Sequence, residues 1–186
     1  MQHIFIINPT AGKIDASVAL IPQIHAAASR AGIKPIIEVT RRAGQARDLA
    51  AKYAASGEKV NLYACGGDGT LNRFVNDTEG LNIPNEIYYY ATGSGNDFLT
   101  DLGKTKGCEP FSLKEYLLGL PTVEVKGKCY RFLNGIGYGI DGYCCLEGDR
   151  QRETSSKPVN YTAIAIKGLL FHYKPASATV TVDGVT

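Results

Sequence analysis

The N-terminal part of this sequence predicts an α/β fold built around a parallel β-sheet. Short apolar segments alternate with alanine-rich segments of helical periodicity, in the order β-α-β-α-β-α-β. Three of the predicted strands run directly into glycine-bearing loops that precede a helix. Beyond about Pro121 the pattern changes to short, glycine-punctuated β segments, which indicate the beginning of an antiparallel domain. We therefore expect two domains, residues 1–120 and residues 121–186.

The elements of the first domain follow from apolar spacing and flanking residues. Isoleucine- and valine-rich runs predict strands that are buried on both faces, and alanine-rich runs with apolar residues three or four apart predict helices. Asp15 is the expected N-cap of the first helix, whose buried face we expect to include Val18. The predicted strands are residues 3–8, 33–39, 60–65 and 86–91, and the predicted helices are residues 15–30, 43–56 and 70–77.

The second domain is predicted to consist mainly of short strands. The segments 123–125, 130–134 and 138–146 have β patterns without intervening helices, and the polar stretch 147–157 is expected to be an exposed loop. A helix is predicted over residues 159–173 and a strand over residues 178–183. The sequence stops just after a turn signal that normally leads into a paired strand, so we expect it to be truncated at its C-terminus.

Composition narrows the classes of partner. The formal net charge of +2 gives no support for nucleic-acid binding, and we expect no nucleic-acid partner. The 5 cysteines form no C-x-x-C pair and there are only 3 histidines, so we expect no zinc site. The N-terminus lacks the features of a signal peptide, and no apolar run approaches the ~20 residues of a membrane span. These features predict a cytoplasmic protein.

Three loops carry the residues that are candidates for ligand binding or catalysis. Their sequences are NPTAGK at residues 8–13, GGDGTLN at residues 66–72 and GSGNDF at residues 93–98. We refer to them as the first, second and third loops. Because the carboxyl ends of parallel strands meet at one edge of a sheet, we expect the three loops to converge on a common ligand.

The second loop is the strongest candidate for phosphate binding. Glycines without Cβ let the backbone approach a polyphosphate, and the N–H groups at the start of the following helix then face its oxygens. A carboxylate would repel phosphate, so Asp68 is expected beside Mg²⁺ or its water shell. Thr70 either caps the helix or donates to a phosphate. The alternative is a tight β-to-α turn in which Asp68 serves as a cap.

The three loops resemble those of the diacylglycerol kinase catalytic-domain family, which includes bacterial lipid kinases and sphingosine kinases. Neither a Walker A sequence nor a GxGxxG fingerprint after the first strand is present. Weaker similarity continues through FLNGIGYGID at residues 132–141 and through residues 160–184. The resemblance implies a nucleotide-binding domain like those of NAD kinases and phosphofructokinases, followed by a β-sandwich domain.

The resemblance also implies roles for individual residues. Lys13 is expected to face the phosphates of ATP, and Asp68 and Asp97 are expected to act in an acidic, water-linked network around Mg²⁺. Glu124 stands where the family usually has Asp and is expected to join that network. The implied nucleotide-binding residues are Asn8, Pro9, Thr10, Ala11, Gly12, Thr40, Gly66, Gly67, Asp68, Gly69, Thr70, Leu71, Asn72 and Ser94.

The implied activity is transfer of the γ-phosphoryl group of ATP to a lipid hydroxyl, with diacylglycerol as the default acceptor. The implied partners are the lipid, the inner membrane surface by transient peripheral contact, and a second copy in a homodimer. In the family the general base lies in a later Asp-Gly-Glu region, a pattern that this sequence lacks. Two alternatives stay open: an NAD kinase, which shares GGDGT, and a truncated chain that binds nucleotide without catalysis.

Overall fold

The computed structural model describes residues 1–10, 15–42, 44–83, 86–93, 95–155, 159–175, 177 and 179. The chain divides into two compact units, Met1–Asn134 and Gly135–Thr186. No helix in the described part of the chain combines the length and the apolar character that crossing a membrane requires.

The first unit is built on a five-stranded sheet with the strand order β2-β1-β3-β4-β5. Strands β1 to β4 run parallel to one another, and the short β5 pairs antiparallel with β4. The predicted α/β class with a parallel sheet is therefore confirmed. The strands are β1 Gln2–Ile7, β2 Pro35–Val39, β3 Val60–Gly66, β4 Ile87–Ala91 and β5 Phe111–Ser112.

Three helices connect the parallel strands near the predicted positions 15–30, 43–56 and 70–77, and two shorter helices follow β4 and β5. Asp15 caps the first helix, because its Oδ1 accepts a hydrogen bond of 2.9 Å from the Ser17 N–H. The cap also lowers the pKa of Asp15, since the Ser17 hydroxyl and N–H both donate to the ionised carboxylate. The helices of this unit are α1 Ala16–Arg30, α2 Gln45–Ala54, α3 Asp68–Asp77, α4 Asp97–Asp101 and α5 Lys114–Leu117.

The sheet separates two apolar clusters because successive strand residues point to opposite faces. On one face, buried residues of α2, α3 and α4 pack on alternate residues of β1, β3 and β4. Leu71, Phe74 and Val75 are the buried face of α3, as predicted. On the other face, α1 packs on Phe5, Ile7 and neighbouring strand residues. Burying each such side chain stabilises the fold by about 1.5–3 kcal/mol.

One prediction for α1 is wrong. Val18 was expected on the buried face, but its side chain is 70% exposed. The buried stripe of the helix contains Ser17, Leu20, Ile24 and Ala28. This stripe starts one residue earlier than expected, and Val18 therefore points towards solvent.

A β-hairpin completes the first unit. Strands β6 Thr122–Val125 and β7 Lys128–Arg131 pair antiparallel, as expected for this part of the chain. Asn76 in α3 ties the hairpin to the α/β layer: its Nδ2 donates to the Arg131 carbonyl oxygen at 2.9 Å, and its Oδ1 accepts from the Arg131 N–H at 2.9 Å.

The second unit is helical where strands and a loop were predicted. Residues 138–146 were expected to form a strand and residues 147–157 a loop, but α6 spans Ile140–Thr154. The predicted later helix is confirmed as α7 Tyr161–Lys167, followed by a π-helix over Gly168–His172. The predicted strand at 178–183 lies outside the described residues, except for residue 179.

Close packing between helices explains this error. A Cβ added to Gly148 would lie 2.7 Å from Tyr161 Cε1, and one added to Gly168 would lie 2.6 Å from Ile140 Cδ1. These glycines therefore let α6 approach α7 and the π-helix. The sequence placed Gly148 in the predicted loop 147–157 and Gly168 in the predicted helix 159–173, because tertiary packing cannot be seen in a local pattern.

Candidate functional site

The three loops leave the sheet side by side. Ile7 of β1 is paired with Cys65 of β3, and Cys65 is paired with Tyr90 of β4, so the three strands end at the same level. Backbone hydrogen bonds extend this register into the loops: the Asn8 N–H donates to the Cys65 carbonyl oxygen at 3.2 Å, and the Thr92 N–H donates to the Gly66 carbonyl oxygen at 2.8 Å. The predicted convergence of the loops is therefore present.

The second and third loops touch through their backbones at two glycines. A Cβ added to Gly93 would lie 2.5 Å from the Cα atom of Gly67, and one added to Gly67 would lie 3.1 Å from the Cα atom of Gly93. A side chain at Gly93 would collide with this backbone, whereas one at Gly67 would make a tight contact with it. Gly93 is thus required for this loop-to-loop packing, and Gly67 favours it.

Asp68 connects the same two loops by hydrogen bonds. Its Oδ2 accepts from the Asp97 N–H at 3.0 Å, and its Oδ1 accepts from the Phe98 N–H at 3.0 Å. Asp68 therefore caps α4, although it belongs to the first turn of α3. The alternative in which Asp68 caps its own β-to-α turn is wrong, because the N-cap of α3 is Gly67 and no side chain caps it. Capping of α4 is compatible with the metal prediction, because each carboxylate oxygen keeps a lone pair after accepting one hydrogen bond.

The carboxylates of Asp68 and Asp97 both lie beside Gly95. A Cβ at Gly95 would lie 3.6 Å from Asp97 Oδ1 and 3.7 Å from Asp68 Oδ2. Because both oxygens lie within 3.7 Å of one point, a cation placed beside Gly95 would be attracted by both charges. In the described ranges, no three or more His, Cys, Asp or Glu side chains are grouped so that they could hold a metal ion directly. The pair of aspartates suits a hydrated Mg²⁺, which usually keeps several of its waters.

Asn96 is a site residue that sequence reasoning missed. It is 1% exposed and adopts a left-handed conformation with φ 62° immediately before α4. Its Nδ2 donates to the Gly93 carbonyl oxygen at 2.9 Å. This turn directs the next two N–H groups towards Asp68. The available signal was an asparagine after two glycines, because asparagine tolerates the left-handed region better than most residues.

Tyr89 of β4 forms a hydrogen bond with the start of the second loop. Its hydroxyl donates to the carbonyl oxygen of Gly66 at 3.2 Å. Burial raises the pKa of Tyr89 well above its usual value, and the nearby charge of Asp68 raises it further. The hydroxyl therefore stays protonated and keeps its role as a donor. The sequence indicated only that Tyr89 belongs to a core strand.

The first loop joins the second through side chains. Asn8 Nδ2 donates to Thr70 Oγ1 at 2.8 Å, and Asn8 Oδ1 accepts from the N–H and the hydroxyl of Thr10. Thr70 packs so closely over Gly66 that a Cβ there would lie 2.5 Å from Thr70 Cβ. Asn8, Thr10, Gly66 and Thr70, all predicted site residues, are therefore brought together.

The other predicted residues differ in their surroundings. The Thr40 hydroxyl donates to the Ile7 carbonyl oxygen at 3.2 Å, so Thr40 lies at the same sheet edge. Leu71 is fully buried, and its N–H donates to the Gly67 carbonyl oxygen at 2.9 Å. Glu124 is exposed on β6. The remaining predicted residues comprise Pro9, Gly69 and Asn72, which are described, and Ala11, Gly12, Lys13 and Ser94, which lie outside the described residues.

Comparison with known proteins identifies the family. The model described as "Diacylglycerol kinase catalytic domain" matches residues 2–122. The chain belongs to this family. No curated protein matches the chain.

Solved structures from Bacillus anthracis str. Sterne are similar to the chain. One is described as a diacylglycerol kinase: it is 25% identical with a TM-score of 0.44, and the match covers 57% of this chain and 36% of that one. A second is described as a candidate diacylglycerol kinase and is 26% identical with a TM-score of 0.42. That match covers 55% of this chain and 36% of the other. The chain thus spans little more than a third of these relatives.

We expect Gly93→Ala to destabilise the protein and Gly69→Ala not to. The new Cβ at position 93 meets the backbone of Gly67, which lowers the free energy of unfolding by about 1–3 kcal/mol. Gly69 lies in α3 with nothing within 4 Å of an added Cβ, so alanine there raises stability by about 0.5–1 kcal/mol. Thermal and urea unfolding of both variants measure this difference, and equal effects would contradict the packing described.

Proposed function

We propose that this chain carries the nucleotide-binding part of an ATP-dependent lipid kinase, which transfers the γ-phosphoryl group to a lipid hydroxyl. Membership of the diacylglycerol kinase catalytic-domain family supports a kinase and makes diacylglycerol the proposed acceptor. The observation that carries the proposal is the convergence of the three loops at one sheet edge, with Asp68 hydrogen-bonded across two of them.

The second loop is the proposed contact for the ATP phosphates. Helix α3 begins at Asp68, and the N–H groups of its first turn lack intrahelical acceptors, so they attract an anion together with the helix dipole. Gly69 is exposed, and a Cβ added to it would have no neighbouring atom within 4 Å. A phosphate oxygen can therefore approach the backbone closely at this point.

Asp68 and Asp97 are the proposed holders of Mg²⁺, through water molecules. Bound there, the ion would neutralise charge that develops on the transferring phosphoryl group. The hydrogen bonds from Asp97 and Phe98 hold the Asp68 carboxylate in place, which avoids reorganisation when charge develops. Lys13 as a phosphate contact, Ser94 as a donor and Glu124 as a further metal-linked carboxylate stay predictions from the resemblance.

The proposed lipid acceptor implies contact of the whole protein with a membrane surface, and a homodimer stays a prediction. In phosphoryl transfer the protein contributes mainly positioning and charge neutralisation. A base that accepts the hydroxyl proton contributes about 10²–10⁴ in rate. The proposed function therefore separates into two measurable parts, ATP binding by the loops and transfer to lipid.

The ATP-binding part predicts that Gly69→Ala lowers the affinity for Mg²⁺–ATP at least about tenfold without loss of stability. The added methyl group occupies the space that the phosphates would enter. Gly119→Ala is the matched control, because its Cβ also meets nothing within 4 Å and Gly119 lies outside the three loops. Isothermal titration of both variants measures the difference. Unchanged affinity in Gly69→Ala would remove the second loop from the proposed contact.

The proposed transfer reaction predicts that radiolabelled phosphate passes from ATP to diacylglycerol in mixed micelles. NAD is added to the same assay as the competing acceptor. Asp68→Asn keeps one of the two acceptor oxygens for α4 and removes the charge, and we expect it to lower the rate about 10²- to 10³-fold. Phosphorylation of NAD instead of lipid would replace the proposal with an NAD kinase. ATP binding without transfer to either acceptor would reject catalysis by this chain.

A further inference from the structure

The side-chain amide of Asn8 has a defined orientation. Its Oδ1 accepts from the Thr10 N–H at 3.1 Å and from the Thr10 hydroxyl at 2.8 Å. A backbone N–H can only donate, so the atom that it meets must be the oxygen of the amide and not the nitrogen. With two donors, this oxygen is saturated.

The orientation of Asn8 fixes what the Thr70 hydroxyl can do. Asn8 Nδ2 lies 2.8 Å from Thr70 Oγ1 and can only donate, so the hydroxyl oxygen must accept. A hydroxyl that accepts on one lone pair still has its own proton to donate elsewhere. Within the described ranges, the Thr70 hydroxyl accepts from Asn8 and donates its own proton to no other group.

Packing holds the hydroxyl in this position. Thr70 Cβ, Cγ2 and Oγ1 all lie 2.5–2.7 Å from the place where a Cβ on Gly66 would be. Thr70 is half-buried, and it follows the exposed Gly69 in the first turn of α3. The hydroxyl is therefore fixed next to the part of the second loop that is open to a ligand.

We propose that Asn8 is a positioning residue that makes Thr70 a hydrogen-bond donor to a phosphoryl oxygen. The inference rests on the proposed function and deepens it, because it assigns the two residues different tasks. Thr70 contacts the anion, whereas Asn8 acts through Thr70. The resemblance implies a direct contact between Asn8 and ATP. Because Oδ1 serves Thr10 and Nδ2 donates to Thr70, we assign Asn8 an indirect role instead.

The decisive variant is Asn8→Asp, which has nearly the same shape. A carboxylate still accepts from both donors of Thr10, and its second oxygen now accepts from Thr70, so the fold is retained. The hydroxyl proton of Thr70 then points at residue 8 and is withdrawn from the ligand. We expect the melting temperature to be unchanged and the affinity for Mg²⁺–ATP to fall about 10- to 100-fold.

A double-mutant cycle separates two effects of Asn8→Asp on ATP affinity: the new direction of the Thr70 hydroxyl proton and the added negative charge. Thr70→Val removes the hydroxyl and keeps the shape of the side chain, so Asn8→Asp in that background can act only through its charge. We expect Asn8→Asp to cost at least about fivefold less affinity when Thr70 is Val, and Thr70→Ser to restore the larger effect. If the losses of affinity caused by Asn8→Asp and Thr70→Val are additive within about twofold, Asn8→Asp acts through its charge alone, and the inference is overturned.

The same titrations with tripolyphosphate distinguish this inference from the proposed function. A wild-type protein that binds tripolyphosphate but not ATP would contradict the proposed nucleotide, while the cycle still tests Asn8. Binding of ATP with an additive cycle would contradict the role of Asn8 and leave the proposed function intact. Binding of neither anion would overturn both.

Discussion

The hydrogen bonds from the Asp97 and Phe98 N–H groups to the Asp68 carboxylate are the interaction on which the site depends. Hydrogen bonds to a charged acceptor contribute about 1.5–3 kcal/mol each, which is large for a surface loop. Both donors belong to the short helix α4. A five-residue helix is too short to be stable by itself, and an acceptor at its N-terminus supplies what its own first turn lacks.

The rest of the site follows from this constraint. The close approach of Gly67 and Gly93 brings the loops into range of these hydrogen bonds, and the left-handed turn at Asn96 aims the donors. The same hydrogen bonds fix the direction in which the charge of Asp68 is presented. The Asp68 carboxylate thus serves both the packing of the loops and the proposed chemistry. A substitution of Asp68 must therefore be tested for its effect on folding as well as on binding.

Much of the fold was predictable because its signals are local. Buried parallel strands are apolar runs bounded by glycine, and parallel strands necessarily deliver their loops to one edge. The partners of Asp68 were not predictable, since they lie 29 and 30 residues further along the chain and are backbone groups without a sequence signature. Helix α6 was missed for a related reason: Gly148 fits against a residue of α7, and this contact is invisible in the local pattern.

Amide hydrogen exchange at Asp97 and Phe98 tests most directly whether Asp68 joins the loops. In Asp68→Ala we expect both amides to exchange at least about tenfold faster than in the wild type, because their acceptor is gone. The Leu71 amide, which donates to the Gly67 carbonyl oxygen within α3, is the internal reference and should keep its rate. Equal exchange at Asp97 and Phe98 in both proteins would contradict the account.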